Sequence, residues 1–147
     1  MNPGAPAPGS LTVPKDVYDG MVEHCRRGHP NEACGFLGGR DGVVEKLYRL
    51  TNAAASPVFY RPDDREMIAA IDDIDENDLE LVGIFHSHVA TRPYPSPTDV
   101  SQARYPDAVY VIVSLAQEPE ETRGWLIRKR DWGADEGEIE EIELVVT

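Results

Sequence analysis

Residues 79–99 read LELVGIFHSHVATRPYPSPTD and form the most informative segment of the chain. The apolar residues of 79–86 predict a central strand, which ends in the polar segment His86-Ser87-His88. After a proline-containing loop, Ser96-Pro97-Thr98-Asp99 is typical of a helix start, with the serine as N-cap and the proline at the first helical position. We therefore expect a strand, a loop and a helix in direct succession.

The two histidines of this segment stand two residues apart. Side chains at positions i and i+2 of a strand share a face, so His86 and His88 would point the same way, with Ser87 opposite. The helix start brings in Asp99, and a helix N-terminus favours a carboxylate. Two imidazoles and one carboxylate are the ligand set of a catalytic zinc site, which leaves a fourth position open for water. Each half is common without a metal, but together they predict one zinc ion.

Two further side chains are candidates for catalysis. Glu32 stands just before an apolar run that begins at Ala33, and it could act as general acid/base for a water molecule. From the residues alone, however, a solvated glutamate at a strand edge is the better interpretation. The hydroxyl of Ser96 can accept an N–H bond from its own helix and donate its proton to a substrate oxyanion.

The flanking segments predict strands and helices that alternate along the chain. Strands are expected at 11–13, 33–37, 43–50, 108–115, 122–130 and 138–146, with a short extended piece at 58–60. Helices are expected at 14–27, from 62, and from 97 to before Pro106. The glycine-rich residues 38–42 predict a turn. This order favours one α/β (α+β) domain with a mixed sheet over 11–147, and the Pro/Gly/Ala-rich residues 1–10 predict a disordered lead-in.

Composition excludes several classes of function. The chain has 147 residues, with 27 acidic and 14 basic side chains and a net charge of −13. This acidity argues against nucleic acid and against an anionic membrane surface as partners. The two cysteines, Cys25 and Cys34, lack the spacing of a CxxC pair and predict free thiols in the cytoplasm. A monomer and a small homo-oligomer both stay open.

The acidity is concentrated in two segments. Residues 63–80 contain nine acids and one base, and residues 131–147 contain seven acids and no base. The rest of the chain, including the candidate site, is therefore nearly neutral. Adaptation to a salty cytoplasm and ordinary surface acidity explain this pattern equally well.

The complete pattern resembles the signature of the JAMM/MPN-domain metallopeptidases. Its elements are Glu32, then His86-x-His88, then seven residues, then Ser96-x-x-Asp99. The similarity extends over about Leu11 to Trp125. It is strongest to small prokaryotic members, in particular to peptidases that release cysteine from a ubiquitin-like sulfur-carrier protein. The segments that carry it are HPNEACG at 29–35, TNA at 51–53, FYR at 59–61 and YPS at 94–96.

This resemblance implies a fold, an activity and a set of roles. The fold is a mixed, curved β-sheet flanked by helices, related to that of cytidine deaminases. The activity is zinc-dependent hydrolysis of a peptide or isopeptide bond at the C-terminal tail of a ubiquitin-like or sulfur-carrier protein, including release of cysteine. His86, His88 and Asp99 match the ligands of one zinc ion, Glu32 matches the general acid/base, and Ser96 matches the oxyanion-stabilising serine.

Other interpretations differ in how well the residues support them. A non-catalytic MPN-type module that binds a ubiquitin-like partner is the alternative, and the unsubstituted motif speaks against it. A zinc deaminase would need H-x-E and P-C-x-x-C, and the sequence contains neither. Arg92 and Tyr94 are substrate contacts or plain loop surface with equal weight, whereas Cys34 is best interpreted as a buried thiol.

Overall fold

The computed structural model describes residues 9–131 and 133–147. Residues 1–8 of the predicted lead-in lie outside the described residues, and Ser10, which we assigned to that lead-in, begins the first strand. The elements in chain order are β1 (Ser10–Val13), α1 (Lys15–Gly28), β2 (Cys34–Arg40), β3 (Val43–Leu50), α2 (Asp64–Glu76), β4 (Glu80–His88), α3 (Pro97–Gln102), β5 (Val109–Ser114), β6 (Glu121–Lys129) and β7 (Gly137–Val146).

The described strands form one mixed sheet that closes on itself. Their order is β1-β3-β2-β4-β5-β6-β7, and β1 closes the barrel because it pairs in parallel with both β3 and β7. β4 and β5 are also parallel, whereas the remaining neighbours are antiparallel. The expectation of a single-domain α/β fold with a mixed, curved sheet and flanking helices is confirmed.

The sheet has a hydrophobic core on each face. One core packs against α1 and includes Phe85 of β4. The other packs against α2 and α3 and includes Ile84 of the same strand. Because successive side chains of a strand point to opposite faces, His86 and His88 follow Ile84 toward α3, and Ser87 follows Phe85 toward α1. The fold thus aims both histidines at the helix that carries Asp99.

The predicted turn at 38–42 is wrong in length. β2 continues through Arg40, and the turn contains only Asp41 and Gly42, whose φ angles are 54° and 73°. A two-residue hairpin turn with both residues at positive φ matches the twist of the flanking strands. The preceding glycines serve a different purpose, since a Cβ at Gly39 would collide with the backbone of Val43.

The short extended piece expected at 58–60 does not form a strand. Residues 51–63 form a loop whose one β-bridge joins Asn52 to Pro62. The Asn52 side chain makes hydrogen bonds to backbone N–H and C=O groups of this loop, in place of bonds to a neighbouring strand. Its Oδ1 accepts from the N–H groups of Ala54 and Arg61, and its Nδ2 donates to the carbonyl of Phe59.

α2 and α3 begin at capping side chains, whereas Pro14, before α1, makes no side-chain capping bond. α2 begins at Asp64 rather than at Pro62, because the side chain of Asp63 caps it by accepting from the N–H of Glu66. The expected start of α3 at Pro97 is confirmed, and the helix ends at Gln102, before Pro106. No helix in the part of the chain that the structure describes is long and apolar enough to cross a membrane.

Candidate active site

β4 and α3 bring three potential metal ligands together. The Nε2 atoms of His86 and His88 lie 3.1 Å apart, and Oδ2 of Asp99 lies 3.2 Å from the first and 3.0 Å from the second. All three side chains are buried. Over residues 9–131 and 133–147 this is the one cluster of three or more such side chains with converging ligand atoms.

The histidines sit on a firmly paired stretch of backbone. The strand expected over 79–86 extends further along the chain. Ser87 and His88 continue to pair with β5, so β4 ends at His88. On the other side, the N–H of Ser87 donates to the carbonyl of Ala33 at 3.0 Å, and its hydroxyl accepts from the N–H of Ala33 at 2.8 Å. The predicted shared face of the histidines, with Ser87 opposite, follows from this pairing.

A capping box holds Asp99 in place. Oγ of Ser96 accepts from the N–H of Asp99 at 3.0 Å, and Oδ2 of Asp99 accepts from the N–H of Ser96 at 2.9 Å. The same Oδ2 atom faces both imidazoles. One carboxylate oxygen therefore serves the helix start and the ligand cluster together, and the hydroxyl proton of Ser96 stays available for another acceptor.

The charges of the cluster favour an ionised carboxylate. Burial acts to raise the pKa of Asp99, but the adjacent imidazoles and the Ser96 amide outweigh it and hold the pKa well below its usual range. Burial acts to lower the pKa of His88, yet the Asp99 hydrogen bond and the Arg92 carbonyl raise it overall. Asp99 is therefore ionised at neutral pH.

Each imidazole is oriented by a neighbour. Nδ1 of His88 lies 2.9 Å from the carbonyl oxygen of Arg92, to which it donates in the neutral ring, so Nε2 directs its lone pair into the cluster. The ring of His86 stacks on Tyr60 with centroids 4.5 Å apart and an angle of 24°. Sequence reasoning missed this role of Tyr60, because the loop that carries it has no periodicity.

The donor set fits a metal ion. Ligands about 2.1 Å from a tetrahedral ion lie about 3.4 Å from one another, close to the separations of 3.0–3.2 Å between the three donor atoms here. Three protein ligands leave one position open, as in catalytic centres.

Glu32 adjoins this cluster. Cys34 pairs with His86 and Ala33 bonds Ser87, so the antiparallel register sets Glu32 beside His88. Its side chain is buried, and Oε1 has no hydrogen-bond partner among the described residues. Burial raises the pKa of Glu32 to about 8, with a further rise from the charge of Asp99. The interpretation as a solvated glutamate is therefore wrong.

The raised pKa makes the stability of the metal-free chain depend on pH. Between the ordinary value of 4.5 and about 8, folded Glu32 keeps a proton that the unfolded chain has released. The stability that protonated Glu32 contributes to the fold is therefore fully present below about pH 4.5 and is lost as the pH rises toward 8. We expect the metal-free wild type to lose more thermal stability than metal-free Glu32→Gln from about pH 5 to about pH 8. An equal fall in melting temperature with pH for the two proteins would contradict the raised pKa of Glu32.

Asn52 ties the loop of residues 51–63 to the backbone of Glu32. Besides its bonds within the loop, its Nδ2 donates to the carbonyl of Glu32 at 2.9 Å. The N–H of Glu32 in turn donates to the carbonyl of Ser56 at 2.8 Å. Glu32 is thus held on both sides by this loop, which the sequence alone did not indicate.

We expect Asn52→Ala to lower the free energy of unfolding by about 1–3 kcal/mol, since it leaves several backbone groups without partners. Chemical denaturation measures this loss. The matched control is Asn31→Ala, because the side chain of Asn31 makes no hydrogen bond within the described residues, and it should change stability by less than about 0.5 kcal/mol. Equal effects of the two substitutions would show that Asn52 does not organise the loop.

The structure places Cys34 on the side of the ligand cluster, across from His86. The residue is fully buried, and burial raises the pKa of its thiol to about 12. The thiol is therefore protonated at neutral pH, in agreement with the expectation of a buried structural cysteine.

A cavity of about 490 Å³ opens next to the cluster. Ile84 contributes to its floor and stands two residues before His86 on the same face of β4. The side chains that line it are mainly aromatic or cationic and include Phe36, Tyr60, Arg61, Arg104, Tyr105 and Tyr110. Tyr60 links the cavity to the cluster, because its ring stacks on His86.

Fold and site together define a single-domain mixed α/β protein with a candidate mononuclear metal centre. The family model described as prokaryotic homologs of the JAB domain matches residues 14–128. The chain therefore belongs to this Prok-JAB family, and the resemblance to JAMM/MPN-domain proteins is confirmed.

Individual relatives agree with this assignment. The chain is 46% identical over 106 residues to the CysO-cysteine peptidase of Mycobacterium tuberculosis, covering 71% of this chain and 73% of that protein. It is 34% identical over 115 residues to the desampylase of Pyrococcus furiosus, covering 78% and 76%. A solution structure of a Desulfitobacterium hafniense protein superposes with a TM-score of 0.80 at 37% identity, covering 93% and 92%.

Proposed function

We propose that this chain is a zinc-dependent peptidase that cleaves a peptide or isopeptide bond at the C-terminal tail of a ubiquitin-like or sulfur-carrier protein. The observation that carries the proposal is the convergence of His86, His88 and Asp99 beside the buried carboxyl group of Glu32. The names of the relatives, a CysO-cysteine peptidase and a desampylase, support the substrate class.

The metal would be held by Nε2 of His86, Nε2 of His88 and Oδ2 of Asp99. Neutral imidazoles with a carboxylate are typical ligands of catalytic zinc. The chemistry that zinc supplies in such a site is Lewis acidity, which lowers the pKa of water and polarises a carbonyl group. The Arg92 carbonyl and the Tyr60 ring keep the two imidazoles in the orientation that binding requires.

Glu32 is the proposed general acid/base. Its buried carboxylate accepts a proton from the attacking water and then delivers it to the leaving amine. Burial raises the pKa of Glu32 in the metal-free chain, and the positive charge of a bound metal ion would favour the ionised carboxylate that accepts the proton.

Ser96 is the proposed oxyanion stabiliser. Its Oγ already accepts from the N–H of Asp99, so its hydroxyl proton can be donated to the oxygen of the scissile carbonyl as negative charge develops there. One such donor contributes roughly 10²–10³ in rate.

We further propose that the carrier tail lies extended in the cavity beside Ile84 and Tyr60. The aromatic walls suit a narrow, unbranched tail. Two lining residues adjoin the site, since Ile84 stands two residues before His86 on β4 and Tyr60 stacks on the His86 ring. Cytoplasmic location is part of the same proposal, since the described Cys25 and Cys34 are both free thiols.

The experiment uses two adducts of a sulfur-carrier protein: one extended by a single cysteine, the other joined through an isopeptide bond to a lysine peptide. We expect mass spectrometry to show the intact carrier released from at least one adduct. A chain that binds stoichiometric zinc and the carrier but cleaves neither adduct would instead be a binding module.

A further inference from the structure

Three side chains at the rim of the ligand cluster have no part in the proposed hydrolysis. The guanidinium carbon of Arg92 lies 4.8 Å from the centre of the Tyr94 ring. That ring meets Trp125 edge-on, with centroids 5.0 Å apart and an angle of 74°. We call these three residues the Arg92 stack. Trp125 is buried, so the stack rests on the body of the domain.

The backbone under the stack is anchored to the ligand cluster. The carbonyl of Arg92 lies 2.9 Å from Nδ1 of His88, one imidazole ring away from the donor atom of that ligand. The hydroxyl of Ser114 donates to the carbonyl of Thr91 at 2.6 Å, and Nε1 of Trp125 donates to the carbonyl of Pro93 at 2.9 Å. The backbone of residues 91–93 is therefore held at the rim of the site.

Arg92 is also free to bind an anion. Its side chain is exposed and makes no ion pair with a carboxylate in residues 9–131 and 133–147, although the chain has 27 acidic residues. Arg40, Arg123 and Arg128 each pair with a glutamate, whereas Arg92, like Arg65 of α2, has no ion pair among those residues. The guanidinium is planar, and one that lies over an aromatic ring leaves the N–H donors at its edge free to match a carboxylate.

We propose that Arg92 binds the free α-carboxylate of the residue that leaves, and so makes the enzyme prefer a single amino acid attached by a peptide bond to the carrier tail. The inference rests on the proposed function. In such an adduct the carboxylate stands two bonds from the amine that leaves. A protein lysine joined by an isopeptide bond has no free carboxylate near its leaving amine, so it gains nothing from Arg92.

The test compares two adducts of the same sulfur-carrier protein, one extended by cysteine and the other by cysteinamide. We expect Arg92→Gln to lower kcat/KM on the cysteine adduct by about 10- to 100-fold, because it removes a charge-assisted bidentate contact. On the cysteinamide adduct the change should stay within about twofold. Arg65→Gln, which neutralises an exposed arginine of α2, is the matched control and should alter neither rate.

A binding measurement separates substrate recognition from chemistry. In the Glu32→Gln background, adding Arg92→Gln should raise the Kd for the cysteine adduct by about 10- to 100-fold and leave the Kd for the cysteinamide adduct unchanged. Equal effects of Arg92→Gln on both adducts would overturn the role of Arg92 while the peptidase activity stands. Cleavage of the isopeptide-linked adduct alone would overturn the preference but leave the proposed function standing, whereas failure of the zinc-loaded wild type to cleave any of these adducts would overturn the proposed function itself.

Discussion

Replacing Glu32 with glutamine should reduce kcat by about 10²–10⁴ and leave zinc binding unchanged. Glutamine keeps the shape of the side chain but cannot accept the proton of the attacking water. Glu32 lies beside the cluster and is not among the three converging ligand atoms, so metal affinity should not depend on it. Steady-state kinetics and metal analysis of the same preparation measure both quantities.

The control for this substitution is Glu23→Gln, which changes an exposed glutamate of α1 that pairs with Arg27. It should leave kcat within about twofold of wild type, as expected for a surface site. If Glu32→Gln also turns over at a near-normal rate, Glu32 has no part in the mechanism. If it loses zinc instead, Glu32 is a ligand rather than a proton carrier.

Replacing His88 with alanine should abolish zinc binding at stoichiometric concentrations. The change removes one of three donor atoms and leaves the Arg92 carbonyl without its partner. We expect zinc affinity to fall by at least about 100-fold, more than loss of an outer partner causes. Calorimetric titration measures the affinity. A second readout is the rise in melting temperature on adding zinc, which should disappear because a ligand stabilises only a fold that binds it.

His29→Ala is the matched control for this experiment, because His29 is exposed and lies in the turn after α1. It should bind zinc like the wild type and show the same thermal shift. Circular dichroism of His88→Ala would show that the sheet is intact. An unchanged zinc content in a folded His88→Ala protein would contradict the ligand assignment.

The parts of the site that depend on local periodicity could be predicted from the sequence. The shared face of His86 and His88 follows from the two-residue repeat of a strand, and the position of Asp99 follows from the capping pattern that begins at Ser96. Both are confirmed by β4 and α3. The same reasoning identified the mixed sheet, since strands and helices alternate along the chain.

Contacts between distant segments could not be read from those patterns. Glu32 reaches the cluster because β2 pairs with β4, and nothing near residue 32 in the sequence encodes that register. From the residues alone it was best interpreted as solvated, and only the family resemblance suggested a role. Asn52 and Tyr60 were missed for the same reason, because they act from a loop whose shape depends on side-chain hydrogen bonds.

The most direct test of the central claim is a zinc titration of protein stripped of metal by a chelator, with cleavage of the cysteine-extended carrier as the readout. The stripped protein should be inactive, and activity should rise with added zinc and reach its maximum at one equivalent, as expected for one ion held by His86, His88 and Asp99. Full activity in the stripped protein, or no activity at any zinc level, would contradict the account.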